Sequence, residues 1–223
     1  MWWEKKLPVV GEVLFRNDFP PRPEDFAFLE AQGIASKPDP KNAPGNWTLQ
    51  LSHPTWGTAD LMYRDDVPLP PRELFEHVLI PQSDRDAAIS CKTHVGLAFE
   101  SSKGHILRDR KLMLRFVNAV MADHGAVAID NASRNVWTRD MLQDELSHDA
   151  DLDVEAIYSI HAVGSDDDEI HWLHTHGLAE VGRFDFDILQ PSSDVMLNIG
   201  DVCRAIAFHI LEEDLGPSTE RFQ

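Results

Sequence analysis

Two alternating segments separated by a polar loop lie at residues 155–178, EAIYSIHAVGSDDDEIHWLHTHGL. The alternation predicts one strand over Glu155–Val163 and a second over Ile170–Leu178. The intervening residues 164–169, GSDDDE, are few and polar, so they predict a hairpin loop that joins the two strands antiparallel. This hairpin indicates that an antiparallel sheet is part of the fold.

The segments around the hairpin add helices and further strands. Residues His105–His124 and Ser193–Glu212 carry apolar side chains at helical spacing, which predicts two long amphipathic helices. The alternation in Trp47–Ser52 and Ala59–Arg64 predicts a second hairpin. We therefore predict the α+β class, with a largely antiparallel or mixed sheet covered by the two long helices.

Shorter elements complete the pattern. A strand over Val95–Phe99 precedes the first long helix, and a buried strand over Ala126–Asp130 follows it. This strand–helix–strand connection should be right-handed if its strands are parallel. Thr138 is placed to cap a short helix that ends near Leu146. Phe184–Ile188 alternates and predicts one more strand.

The domain organisation follows from where the loops lie. Proline-rich and glycine-containing loops interrupt residues 1–45, with one short helix predicted over Pro23–Gly33. We predict an irregular N-terminal segment, 1–45, followed by a single α+β domain, 46–223. The alternative is that this domain divides into two sub-lobes, 46–82 and 87–215.

The composition is that of an acidic globular protein. The 223 residues carry a formal charge of −18 and are 43% hydrophobic. Such a charge repels phosphate groups, so it argues against nucleic acid and anionic membranes as partners. We predict a cytoplasmic protein because the sequence lacks the apolar run of a signal peptide or of a membrane span. Cys91 and Cys203 suggest buried reduced thiols rather than a disulfide framework.

Three histidines stand within six residues in the second strand of the hairpin. Side chains alternate along a strand, so His174 and His176 share one face with Trp172. His171 is predicted to point to the opposite face. The three histidines therefore do not form one cluster by themselves.

The first strand of the hairpin contributes a further histidine to the same face. Pairing Val163 with Ile170 places His161 diagonal to His174, with Ser159 on the same face. A register shift of two residues would preserve this face. A shift of one residue would destroy it.

Imidazoles that converge on one sheet face are suited to binding a divalent transition metal or to acid–base chemistry. The alternative is that the histidines make hydrogen bonds that stabilise the hairpin, with the tryptophan in the core. The candidate site has three histidines, three carboxylates that could serve as ligands or bases, and three supporting residues. They are His161, His174 and His176, then Asp185, Asp187 and Glu180, and finally Ser159, Trp172 and Thr175.

The hairpin also carries a family resemblance. Its two strands contain Tyr158-Ser-Ile-His-Ala162 and Trp172-Leu-His-Thr-His-Gly-Leu178. The chain resembles a bacterial family of uncharacterised proteins, a domain of unknown function, with a Tyr-x-Ile-His-Ala strand before a Trp-Leu-His-Thr-His-Gly-Leu signature. The resemblance extends from about Trp47 to Asp187. It implies that the three candidate histidines belong to the family pattern, and it implies no reaction.

Two functions are compatible with these patterns. One is a non-enzymatic binding or interaction module with a histidine-rich sheet face, which would contact a protein partner or a second copy of the chain. The alternative is a metal-dependent hydrolase in which His161, His174 and His176 hold the ion and a metal-bound water attacks the substrate. No His-Glu-x-x-His or Gly-x-Ser-x-Gly motif occurs, which favours the first function.

Overall fold

The computed structural model describes residues 8–16, 21–76, 78, 80–100, 106–122, 124–164, 170–179 and 183–212. The strands in these ranges are β1 Pro8–Phe15, β2 Ala35–Pro38, β3 Asn46–His53, β4 Gly57–Arg64, β5 Thr93–Glu100, β6 Gly125–Asp130, β7 Val136–Trp137, β8 Ser159–Gly164, β9 Ile170–His176 and β10 Asp187–Leu189. The α-helices are α1 Glu73–Glu76, α2 Gln82–Ile89, α3 Ile106–Met121, α4 Arg139–Ser147, α5 Ser193–Leu197 and α6 Ile199–Glu212. The 3₁₀ helices include Pro23–Gln32 and Val154–Ile157.

Seven strands form one antiparallel sheet in the order β2-β3-β4-β5-β1-β6-β7. The predicted hairpin of β3 and β4 is present, with Trp47 opposite Tyr63. Its turn ends at Gly57, whose φ of 90° lies in the left-handed region that favours glycine. The sheet and the helices confirm the α+β class, and every strand pair in the described residues is antiparallel.

The N-terminal region corrects the prediction that residues 1–45 are irregular. Strand β1 lies in the middle of the sheet, between β5 and β6, and β2 forms an edge. Val13 and Leu14 point to opposite faces of β1, and both are buried. A strand buried on both faces has no hydrophobic alternation, so a short apolar run such as Pro8–Phe15 lacks the usual strand signal.

The two strands of the predicted strand–helix–strand unit are not adjacent, because β1 lies between them in the sheet. Strands β5 and β6 are both antiparallel to β1, so they run parallel to each other with β1 between them. Helix α3 connects them and packs closely on β1. A Cβ atom added to Gly11 would lie 3.1 Å from the sulfur of Met113 in α3. Glycine therefore permits this close approach of strand and helix.

Two further predicted helices appear with small differences. Thr138 caps α4, since its hydroxyl accepts a hydrogen bond from the backbone N–H of Met141. The predicted helix over Ser193–Glu212 is interrupted at Asn198, which separates α5 from α6. Cys91 and Cys203 are buried and free, and burial raises the pKa of each thiol to about 11. No helix in the described ranges has the length and apolar character needed to cross a membrane.

The chain divides into two compact units. The first comprises Pro8–Asn131 and Val136–Leu152 and contains the seven-stranded sheet with α1 to α4. The second comprises Ala132–Asn135 and the described chain from Asp153 onward. It contains a three-stranded sheet of order β10-β9-β8, together with α5 and α6.

This division differs from the predicted sub-lobes 46–82 and 87–215, because residues 46–131 all lie in one unit. The prediction that two long helices cover one sheet is not confirmed. Helix α3 packs on strands of the seven-stranded sheet, whereas α6 belongs to the second unit and packs against Val154–Ile157. Arg204 of α6 donates a 2.8 Å hydrogen bond to Glu155 in that turn.

Candidate metal centre

The histidine face lies on the three-stranded sheet of the second unit. Strands β8 and β9 pair antiparallel, and the register places His161 directly opposite His174 and Ser159 opposite His176. The predicted register is therefore wrong by two residues. An even shift keeps every side chain on its predicted face, so the histidine face survives the correction.

The shift arises at the loop end of the hairpin. Trp172 pairs with Val163, but Ile170 pairs with Gly164, so the register slips at this point. His171 is the extra residue, as in a β-bulge. Its side chain lies outside the described part of the structure, as do loop residues 165–169.

The upstream end of the hairpin is also shorter than predicted. Residues Val154–Ile157 form a 3₁₀ turn, and β8 begins at Ser159. On the face opposite the histidines, Leu173 and Thr175 are buried, whereas Ile160 is 36% exposed. The face opposite the histidines is therefore buried along β9 and more open along β8.

The three imidazoles converge. The rings of His161 and His174 stack with centroids 5.3 Å apart, and the ring of His176 stands edge-on to both at 4.7 Å. The Nε2 atoms of His174 and His176 are 3.0 Å apart. One nitrogen atom from each of the three rings can be chosen so that all lie within 4.8 Å of one another.

These distances suit a metal ion. Zinc–imidazole bonds are about 2.0–2.1 Å long, so two nitrogens on a tetrahedral ion are about 3.3–3.4 Å apart. The 3.0 Å between His174 and His176 therefore requires a small opening, and a separation as long as 4.8 Å requires closure by up to about 1.4 Å. All three side chains are partly exposed, so a fourth coordination position would be accessible from outside. The residues present thus fit a three-imidazole metal site with an open position.

The hydrogen bonds of the cluster leave one ring nitrogen of His174 without a partner among the described residues. His161 Nε2 contacts the hydroxyl of Ser159 at 3.1 Å, and the other ring contact joins His174 to His176. His174 Nδ1 is buried and has no hydrogen-bond partner among the described residues. Unsatisfied buried polar atoms are costly, so the contacts among the described residues do not account for this nitrogen.

The electrostatic environment favours the neutral, ligand form of His161. The pKa of His161 is lowered, first by burial, then by the neighbouring His176 and His174, and finally by the positive charge of Arg134. A lowered pKa keeps the imidazole neutral to lower pH. The neutral ring has the lone pair that a metal requires.

Of the predicted carboxylates, Asp185 and Asp187 are described, and neither belongs to the group of converging ligand atoms. Asp185 accepts hydrogen bonds from the Thr175 hydroxyl at 3.2 Å and from the backbone N–H groups of Leu178 and Ala179. Thr175 points to the face of β9 opposite the histidines, so Asp185 is bonded away from the cluster. Its hydrogen bonds to Thr175, Leu178 and Ala179 stabilise the chain that follows β9. Glu180 lies outside the described residues.

Asp187 is closer to the histidines but already has a partner. It pairs across the sheet with His174 and accepts a 2.8 Å hydrogen bond from the indole N–H of Trp172. The indole ring stacks on the His174 ring with centroids 4.5 Å apart. Of the predicted site residues, Ser159, Trp172 and Asp187 therefore line the histidine cluster, and Asp185 and Thr175 do not.

The two aspartates provide a test of this assignment. We expect Asp185→Ala to lower the free energy of unfolding by about 1–3 kcal/mol, because two backbone N–H groups and a buried hydroxyl lose their acceptor. Asp187→Ala should lower the free energy of unfolding by a smaller amount, since it removes only the exposed hydrogen bond with Trp172. Urea unfolding followed by circular dichroism measures both. Equal losses in the two variants would contradict the structural role of Asp185.

Arg134 was not predicted as a site residue. It lies in the turn after β6, with a φ of 60° that is unusual for a residue other than glycine. The next residue, Asn135, donates hydrogen bonds to the carbonyls of Ala156 and Tyr158 at 3.0 and 3.3 Å, just before β8 begins. These two hydrogen bonds hold the turn that contains Arg134 near the start of β8. The turn and β8 are far apart in the sequence, so no local sequence pattern could have indicated that they are neighbours.

Together, the fold and the site define an α+β protein with three converging imidazoles on one face of a small C-terminal sheet. Residues 160–222 match the family model described as "Protein of unknown function (DUF4026) C-terminal". The match confirms the predicted resemblance to an uncharacterised family, and it spans the C-terminal part rather than the predicted range from Trp47 to Asp187. Comparisons with curated proteins and with solved structures gave no match.

Proposed function

We propose that this protein is a metal-dependent binding module. His161, His174 and His176 hold one divalent transition ion, with zinc the best fit, and leave a coordination position open for a ligand on the exposed sheet face. The observation that carries the proposal is the convergence of three partly exposed imidazoles within 4.8 Å. When bound, the ion would supply a Lewis-acid centre for an oxygen or nitrogen donor of the ligand.

The same three imidazoles also suit a metal-dependent hydrolase, the alternative predicted from the sequence. In a hydrolase of this kind a general base near the metal-bound water assists the attack. Asp185 is engaged by backbone N–H groups and Asp187 by an indole N–H, so neither described carboxylate is placed as a base. We therefore favour ligand binding over hydrolysis, with a protein partner as the ligand.

Metal content tests this proposal directly. We expect protein purified without an affinity tag or chelator to contain about one zinc, or another divalent transition ion, per chain. His174→Ala should weaken zinc binding by at least about tenfold, because one of three ligands is lost. Elemental analysis and competition with a fluorescent zinc chelator provide the measurements.

Thermal unfolding provides the control. Zinc at about 100 times its dissociation constant should stabilise the native protein by about 2.7 kcal/mol, and it should leave the melting temperature of His174→Ala nearly unchanged. His124→Ala removes an exposed histidine of the other unit and should retain both metal and zinc stabilisation. A native protein that binds no metal, with His174→Ala only less stable, would mean that the histidines serve the hairpin alone.

A further inference from the structure

The histidine face continues into an exposed apolar row. Strand pairing places Val163 opposite Trp172 and Trp172 opposite Leu189, so one such residue from each strand lies side by side on this face. They are 42%, 37% and 72% exposed, respectively. Exposed apolar side chains that adjoin one another mark contact surfaces more often than isolated ones do.

The apolar row and the metal cluster are neighbours. The next row across the three strands is His161, His174 and Asp187, two residues along each strand. Two residues of strand correspond to about 6.6 Å. A single ligand residue can therefore reach the ion and the apolar row together.

The opposite end of the face carries a positive charge. Asn135 is bonded to the carbonyls just before Ser159, so Arg134 lies at the end of the sheet away from the apolar row. The positive charge of Arg134 is the smallest of the causes that lower the pKa of His161, after burial and the two neighbouring histidines. Among the described residues, no hydrogen bond or ion pair engages the Arg134 side chain. In a chain with 38 acidic and 20 basic residues, an arginine with no carboxylate partner among the described residues is suited to an incoming anion.

We propose that this face binds the C-terminal carboxylate of a peptide or protein whose last residue is apolar. The carboxylate would be held by the metal ion and Arg134, and the last side chain would pack on Val163, Trp172 and Leu189. This inference rests on the proposed metal-binding function. Carboxylates are both zinc ligands and bidentate partners of arginine, which makes one group complementary to both sites.

The shape of the surface favours a chain end over a small free acid. Small-molecule sites are concave and bury most of their ligand. Here the apolar row lies on the open face of a sheet and remains 37% exposed even at Trp172. A peptide can extend across such a face and add contacts from its preceding residues, as in other modes of C-terminal carboxylate capture.

Titration calorimetry with zinc-saturated protein tests the inference. The probe is the peptide Gly-Gly-Gly-Phe with a free C terminus. The comparison peptides are its C-terminal amide and Gly-Gly-Gly-Ser with a free C terminus. We expect the first peptide to bind at least about fivefold more tightly than either of the others, because only the first peptide has both a free C-terminal carboxylate and an apolar last side chain. Equal affinity for all three would overturn the inference.

Variants then assign the two contacts. Arg134→Gln should weaken the free-acid phenylalanine peptide at least about fivefold and leave its amide unchanged. Leu189→Ser should weaken the phenylalanine peptide and not the serine peptide. Leu197→Ser, at an 83% exposed position in α5, is the matched control and should change neither. Unchanged affinity in both Arg134→Gln and Leu189→Ser would contradict the assignment.

Two further outcomes separate the hypotheses. If elemental analysis finds no bound ion in the native protein, the proposed metal function fails, and this inference fails with it. If zinc binds but 3-phenylpropionate binds as tightly as the tetrapeptide, the metal function stands and the occupant is a small acid, which overturns the chain-end proposal.

Discussion

Replacing Gly177 with alanine will unfold the three-stranded sheet or greatly loosen it, and metal binding will be lost with it. Gly177 follows β9 with a φ of 125°, a conformation that residues with a Cβ rarely adopt. An added Cβ would collide with the carbonyl oxygen of Ile157 and lie only 3.0 Å from the Cα atoms of Ser133 and Tyr158. These contacts are backbone, so a side-chain rotation cannot relieve them. We expect the free energy of unfolding to fall by at least about 3 kcal/mol.

A second glycine of the same unit provides the control. Gly200 lies in α6, and an added Cβ would meet nothing within 4 Å. Gly200→Ala should be neutral or stabilise by up to about 1 kcal/mol, because alanine favours the helix. Urea unfolding and zinc titration of both variants make the comparison. A Gly177→Ala protein with native stability and normal zinc affinity would show that the backbone relaxes at this turn.

Asp130→Asn should destabilise the first unit by about 3–5 kcal/mol, because it leaves the buried charge of Arg110 without its partner. Arg110 on α3 and Asp130 at the end of β6 form a salt bridge at 2.7 Å, and their side chains are 2% and 3% exposed. Both residues make further interactions in the structure. The pair therefore joins the long helix α3 to the end of strand β6 at a point where water cannot replace either group.

Two comparisons separate charge from packing. Glu24→Gln, which removes an exposed 3.4 Å ion pair with Arg22 in the same unit, should change stability by less than about 0.5 kcal/mol. The double variant Arg110→Met/Asp130→Leu should recover much of the stability lost in Asp130→Asn, since neither charge remains buried. Denaturant unfolding measures all three. A loss below about 1 kcal/mol in Asp130→Asn would mean that the remaining contacts of Arg110 satisfy its charge.

The predictions that succeeded depend on local periodicity. Alternation placed His161, His174 and His176 on one face with Trp172, and this assignment holds in the structure. The helix cap at Thr138 was also recognisable, because a cap involves residues only a few positions apart. In each case the signal and the interaction lie within the same short segment.

The predictions that failed depend on contacts over long sequence separations. The register of β8 on β9 was wrong by two residues, because the hydrophobic pattern specifies a face and is the same for any even shift. Asp185 was predicted as a ligand or base, but the chain turns after β9 and presents it to backbone N–H groups. The sequence alone does not distinguish an aspartate that accepts hydrogen bonds from backbone N–H groups from one that binds a metal.

The sequence by itself determined the α+β class, the acidic surface charge and the shared face of the histidines, since composition and side-chain alternation are properties of the chain alone. Tertiary structure decided that β1 lies between β5 and β6 in the larger sheet and that the turn with Arg134 and Asn135 is held near the start of β8. It also decided the direct pairing of His161 with His174. The physical reason is that strand order, register and loop position result from packing between distant segments, whose relative free energies no local pattern encodes.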